Sequence, residues 1–178
     1  IRDRYNTVLV ATTLRLVPFG FYNTCFVFGP RGIICRQDKR YPLSIEKALG
    51  IYSGHGLSVF DYGRRFGVAI CNDVNPRYDV VDKLARLGAE IILCPSGGWR
   101  LPSMPWFWQR DMQHVTTSRR GQVTIIRSYH TNAMVDGLCL SGRASVVSNG
   151  SVLCLGPYNT EGMVIYDTDT CKAWFEEV

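Results

Sequence analysis

The stretch "FGVAICNDVNPRYDVVDKLARLGAEIILCPSGGW", residues 66–99, carries the reading of the fold. An apolar run from Phe66 to Ile70 ends on Cys71, and Asn72, Asp73 and Pro76 crowd behind it. Val80, Val81, Leu84 and Leu87 then recur at helical spacing, and Gly88 is a natural C-terminal stop. "AEIILCPS" (89–96) follows as a buried strand. Strand, helix and strand in this order predict a βαβ unit or a close relative of one.

Outward from this unit, "NTVLVATTL" (6–14) reads as a strand from its β-branched run. "YNTCFVFGPRGIICRQDK" (22–39) reads as a hairpin turning at "GPRG", and 57–71 as a second one around "DYGRR". Residues 105–121 look helical, with Val115, Met112 and Trp108 expected to face inward. "QVTIIRS" (122–128) is a strand. The Asn-Gly of "SNGS" is a turn signal for a hairpin within 136–156, and 161–169 is the last strand expected. Hairpins mixed with one strand–helix–strand crossover favour a layered α/β or α+β sandwich.

With 178 residues, 46% of them hydrophobic and 20% charged, the chain is long enough for a single domain with a real core and is not disordered in composition. No apolar run approaches the ~20 residues of a membrane helix. The net charge of +5 comes from scattered Arg pairs, which a solvated surface explains better than a nucleic-acid face does. The seven Cys form no C-x-x-C and mostly sit in apolar runs. Free thiols in a reducing, cytoplasmic setting are therefore expected, and neither a disulfide scaffold nor a zinc site is.

Cys71 is either core filler at a strand end or a nucleophile beside a helix N-terminus, where a thiol pKa falls and backbone N–H groups can hold an oxyanion. Lys39 also ends a strand. It is a solvated rim residue, or the cation beside a thiolate if a partner such as Glu46 orients it. His55, His114 and His130 offer a Cys–His dyad instead, but none sits in a Cys-protease pattern and each reads as a structural or surface residue. Trp99, Trp106 and Trp108 are core or pocket wall.

Three segments, taken in order, resemble the nitrilase superfamily, the carbon–nitrogen hydrolases. "YNTCFVFGPRGIICRQDKRYPL" (22–43) is similar to the segment that ends in the family's catalytic lysine, which falls on Lys39. Residues 66–99 are similar to the segment holding the family's nucleophile, which falls on Cys71. "GLCLSGRASVVSNGSVL" (137–153) is similar to a late hairpin of the family. The resemblance implies one carbon–nitrogen hydrolase domain over 1–178, folded as a four-layer α-β-β-α sandwich and assembled as a homodimer or higher homo-oligomer. It also implies a small-molecule amide or nitrile substrate and no metal or organic cofactor. Membrane and nucleic-acid partners are not expected.

Site roles follow from the same resemblance. Cys71 would attack the substrate carbon to form a thioester. Lys39 and the backbone N–H of Asn72 would hold the oxyanion, and Glu46 falls where many members carry a second glutamate. Gly97, Gly98 and Trp99 would line the substrate pocket. The family's Pro-Glu after the cysteine is Pro76-Arg77 here. The general-base glutamate, which in the family ends an early strand, has no counterpart before Lys39; Asp3 is the only carboxylate before Asp38. This predicts that the chain begins inside the domain, with the first strand, the base and the first helix lying before Ile1. Two further readings accompany the hydrolase. One is acyl transfer, since 97–114 is similar to a stretch of apolipoprotein N-acyltransferases. The other is a non-catalytic or assembly subunit of the same fold.

Overall fold

The computed structural model describes residues 7–97, 99–100, 107–130, 133–135, 138–140, 142–158 and 160–178, with backbone alone for 99–100, 107–110, 133–135 and 138–140. Strands β1 (Leu9–Val17), β2 (Gly20–Gly29) and β3 (Gly32–Asp38) form an antiparallel sheet in sequence order. A short helix, α1 (Ser44–Ala48), follows. The 66–99 unit then appears as β4 (Val59–Asp61), β5 (Arg65–Val68), α2 (Val80–Arg86) and β6 (Ile91–Pro95), with a 3₁₀ turn at Cys71–Val74. Next come β7 (Trp99–Arg100), α3 (Phe107–Gly121), β8 (Thr124–Ser128), β9 (Ala133–Val135) and β10 (Leu138–Leu140). The chain continues as β11 (Ser145–Ser148), β12 (Ser151–Leu155), β13 (Gly162–Asp167) and β14 (Lys172–Glu177).

The second large sheet has the order β12-β11-β8-β6-β5-β4. Its central strands β5, β6 and β8 are parallel, as a βαβ crossover requires. Alternation along these strands sorts the core into two halves. Ile92, Cys94 and Ile125 face the helices and pack with Val80, Val81, Leu84 and Val115. Phe66, Val68 and Leu93 face the other way and pack with Cys25, Val27 and Cys35 of the three-stranded sheet. Helices, six-stranded sheet and three-stranded sheet therefore stack in succession, the α-β-β layers of an α-β-β-α sandwich. Gly67 lies under α2, and a Cβ there would meet Leu84 and Ile92 side-chain atoms at 3.0–3.2 Å. The helix rests directly on the strand for want of that atom.

Three local expectations change. Met112 is 50% exposed, whereas Val115 is buried as expected. The buried face of α3 is set by Asp111, His114, Thr117 and Ser118 as well, because Asp111 serves two arginines behind it, and Met112 is turned outward. Strand β14 lies beyond the last strand expected. "KAWFEE" has little β-branched character, and its pairing with β13 supplies the order. Helix α1 is too short for a periodic signal and forms around Glu46. Trp106 and the side chain of Trp108 lie outside the described residues. The "SNGS" turn is as read, with Asn149 and Gly150 at φ 50° and 83°, the pair of left-handed residues of a type I′ hairpin. The described cysteines Cys25, Cys35, Cys71, Cys94, Cys154 and Cys171 are free thiols. No described helix is long and apolar enough to cross a membrane.

Candidate active site

The parallel strands β5, β6 and β8 end on the same side of their sheet, the side where α/β folds gather ligands. Cys71 follows β5, Ser96 and Gly97 follow β6, and Tyr129 and His130 follow β8. Together with Lys39, Glu46, Asn23, and Thr12 and Leu14 of β1, they line one cavity of about 570 Å³. That volume suits a small molecule.

Cys71 opens the 3₁₀ turn at φ 50°, a left-handed conformation that costs a residue with a Cβ about 1 kcal/mol. The thiol is half-buried and donates to the Gly97 carbonyl at 3.7 Å. Its backbone N–H points at the sulfur of buried Cys94. At the start of such a turn the first N–H groups have no acceptor within it, and Asn72 supplies the next one.

Lys39 is 2% exposed. Its backbone is pinned on both sides, with the N–H on Asn23 O at 2.8 Å and the carbonyl accepting Gly54 N–H at 2.7 Å. The ammonium donates to both oxygens of Glu46, at 2.8 and 2.7 Å. Two of its three N–H bonds are thereby used and one is left for the cavity. Glu46 also accepts Leu43 N–H at 2.6 Å and the Asn23 amide at 3.2 Å. Its four donors make it a fixed counter-charge. Asn72 turns its side-chain amide away from the cavity, onto Tyr41 O at 2.9 Å.

Beneath Cys71, the Asp73 carboxylate is 1% exposed and accepts the backbone N–H groups of Arg40, Tyr41 and Ile70 at 3.1, 2.8 and 3.3 Å. Burial pushes its pKa up from 3.8 to about 6, against the pull of these donors and of the Lys39 charge. An acid with a raised folded pKa binds its proton more tightly folded than unfolded. Its contribution to stability is therefore present below about pH 4 and lost as the pH rises through about 6. The shift corresponds to roughly 3 kcal/mol. In urea unfolding, the stability of wild type minus that of Asp73→Asn should fall by about this amount across the window; a pH-independent difference would contradict the assignment.

Behind the cavity, Asp111 of α3 accepts Arg127 of β8 at 2.5 Å and Arg143 at 2.6 Å. This pair of contacts anchors the strand end that leads to Tyr129 and His130.

Among the residues singled out from sequence, Cys71, Lys39, Glu46 and Gly97 meet at the cavity. Trp99 lies in β7, paired with Leu140, and its side chain is outside the described residues, as is Gly98. His130, read as structural or surface, lines the cavity instead, while His55 is exposed and His114 buried. Asp73 and Thr12 gave no signal of their own. The first acts on the backbone of a distant loop, and the second is one threonine in a β-branched strand.

The sequence profile of the family described as carbon-nitrogen hydrolase matches residues 2–175. No curated protein sequence matches the chain significantly. Among solved structures, the glutamine-dependent NAD+ synthetase from Acinetobacter baumannii in complex with ADP is 22% identical, at a TM-score of 0.79, over 96% of this chain and 33% of that one. A mutant amidase from Nesterenkonia sp. AN1, carrying the acetamide moiety of fluoroacetamide on its active-site cysteine, is 20% identical at a TM-score of 0.73. There the match covers 87% of this chain and 58% of the amidase. The same mutant with acrylamide added at the active-site cysteine matches with the same identity and TM-score. At these identities the likeness is one of fold. The chain spans 33% of the synthetase and 58% of the amidase.

Proposed function

Because the chain belongs to the carbon–nitrogen hydrolase family, we propose that its cavity hydrolyses a non-peptide carbon–nitrogen bond of a small amide or nitrile, with Cys71 as nucleophile. The observation that carries this reading is the convergence of a half-buried thiol and a buried, counter-charged ammonium on one cavity. In the reading, the Cys71 thiolate attacks the amide carbon and a C–S bond forms. The negative charge moves to the oxygen, where the free N–H of Lys39 and the backbone N–H of Asn72 receive it. The C–N bond breaks and ammonia or an amine leaves with a proton. Water then cleaves the thioester to the acid.

Glu46 is the holder of Lys39 in this scheme. Four hydrogen bonds hold its carboxylate against Lys39, Asn23 and Leu43, and the scheme gives it no proton-transfer role. The amidase neighbour's adduct at its active-site cysteine supports the choice of an amide as first substrate. Incubation with simple primary amides should release ammonia. One equivalent of iodoacetamide, located at Cys71 by peptide mass, should stop it. Release that continues after complete alkylation of Cys71 would refute the reading.

A further inference from the structure

Asp73 joins two parts of the chain that the proposed chemistry must hold at a fixed separation. Two of its donors, Arg40 and Tyr41, directly follow Lys39, and the third, Ile70, directly precedes Cys71. The Ile70 bond is local to the turn. The other two cross 33 and 32 residues of sequence, and Asn72 adds a bond in the opposite sense, donating to Tyr41 O.

We propose that Asp73 is a positioning residue whose ionised carboxylate clasps the turn after Lys39 to the turn bearing Cys71, and so sets the lysine–cysteine geometry. This rests on the Cys71 and Lys39 roles proposed above. The head of Lys39 is fixed by Glu46, and Asp73 fixes the peptides after its backbone. Loss of the second anchor lets the ammonium and the thiol drift apart, and a displacement near 1 Å can cost about 10²-fold in rate.

Among the described residues, the titratable and charged groups around the carboxylate are few. Lys39 favours its ionised form. Arg40 directs its guanidinium to Gly54 O. Tyr41 stacks on Tyr78 at 3.8 Å. Cys71 lies in the same turn. From α3, Thr117 donates to Val74 O, and the same helix carries buried His114. When Asp73 takes a proton, one oxygen becomes a donor facing N–H groups, and the clasp loses a bond. Burial places that event at about pH 6. The same proton favours the folded state, so the clasp weakens on acidification without global unfolding. A merely structural carboxylate would leave only the smooth pH dependence of thiol ionisation, with no added step at that pH.

The test is the rate of Cys71 alkylation by iodoacetamide, followed by peptide mass across the pH range around 6, with urea stability measured on the same samples. Wild type should show a step in rate near pH 6, on top of the smooth fall from thiol ionisation that Asp73→Asn also shows, at undiminished stability. Asp73→Asn, which sets an NH₂ against the N–H groups, should be about 10- to 100-fold slower at neutral pH and lose that step. If Asp73→Asn does not fold, the wild-type profile decides: a rate with no break near pH 6, or one that tracks unfolding, overturns the clasp. Should Cys71→Ala abolish ammonia release while Asp73→Asn keeps the wild-type rate and profile, the clasp fails and the hydrolase reading stands. Activity retained by Cys71→Ala would instead remove the hydrolase reading itself.

Discussion

Cys71→Ala should reduce ammonia release from a primary amide by on the order of 10⁴-fold or more, since the thiol is the one group in the proposed scheme that forms a bond to the substrate. The fold should not suffer. Alanine keeps the Cβ, so the strain at φ 50° is unchanged, and the half-buried thiol gives up a 3.7 Å contact to Gly97 O and part of its packing against the cluster of Val68 and Ile70. Cys71→Gly should go further: it relieves the left-handed penalty and should melt no lower than wild type while being equally inactive. Activity and melting temperature, measured on both variants, separate a strained nucleophile from a core cysteine. A core cysteine would lose stability on either change and leave hydrolysis alone. Strain kept at a residue that the fold does not need is a mark of function.

The second large effect concerns the buried pair. Glu46→Ala leaves the ammonium of Lys39, 2% exposed, without its counter-charge, which costs about 3–5 kcal/mol of stability. Asn23 and the N–H of Leu43 lose their acceptor in the same step. Lys39→Met removes the charge along with the need for a partner. It should stay within about 1 kcal/mol of wild type, or exceed it. Glu46 there keeps two donors and is itself 17% exposed. The two variants should nevertheless agree in activity, since each removes or displaces the ammonium assigned to the oxyanion, a loss of about 10²–10³ in kcat. Chemical denaturation and single-turnover kinetics read the contrast. Equal destabilisation by both changes would mean that the pair serves the fold alone.

Much of this was legible in local patterns. The stretch from Phe66 to Ser96 opens on an apolar run, then repeats at helical spacing, then closes on a second apolar run, and those patterns depend on neighbours a few residues away. The hairpin at Asn149-Gly150 needs only two adjacent residues that tolerate positive φ. Cys71 and Lys39 could be singled out because each ends an apolar strand. Elements whose order comes from a distant partner were not legible: β14, held by β13, and the outward turn of Met112, set by the arginines that Asp111 must meet.

The sequence by itself determined the strand–helix–strand unit, the hairpins and the two strand ends on which the thiol and the ammonium stand, because backbone propensity and side-chain period act over short distances. Only the tertiary structure decided that these two ends face one cavity, that Glu46 is saturated with donors, that His130 reaches the same space, and that Asp73 spans from one turn to the other. Each of those depends on backbone groups far apart in the chain, and a buried carboxylate bound to three N–H groups leaves no trace in the residue types that supply them.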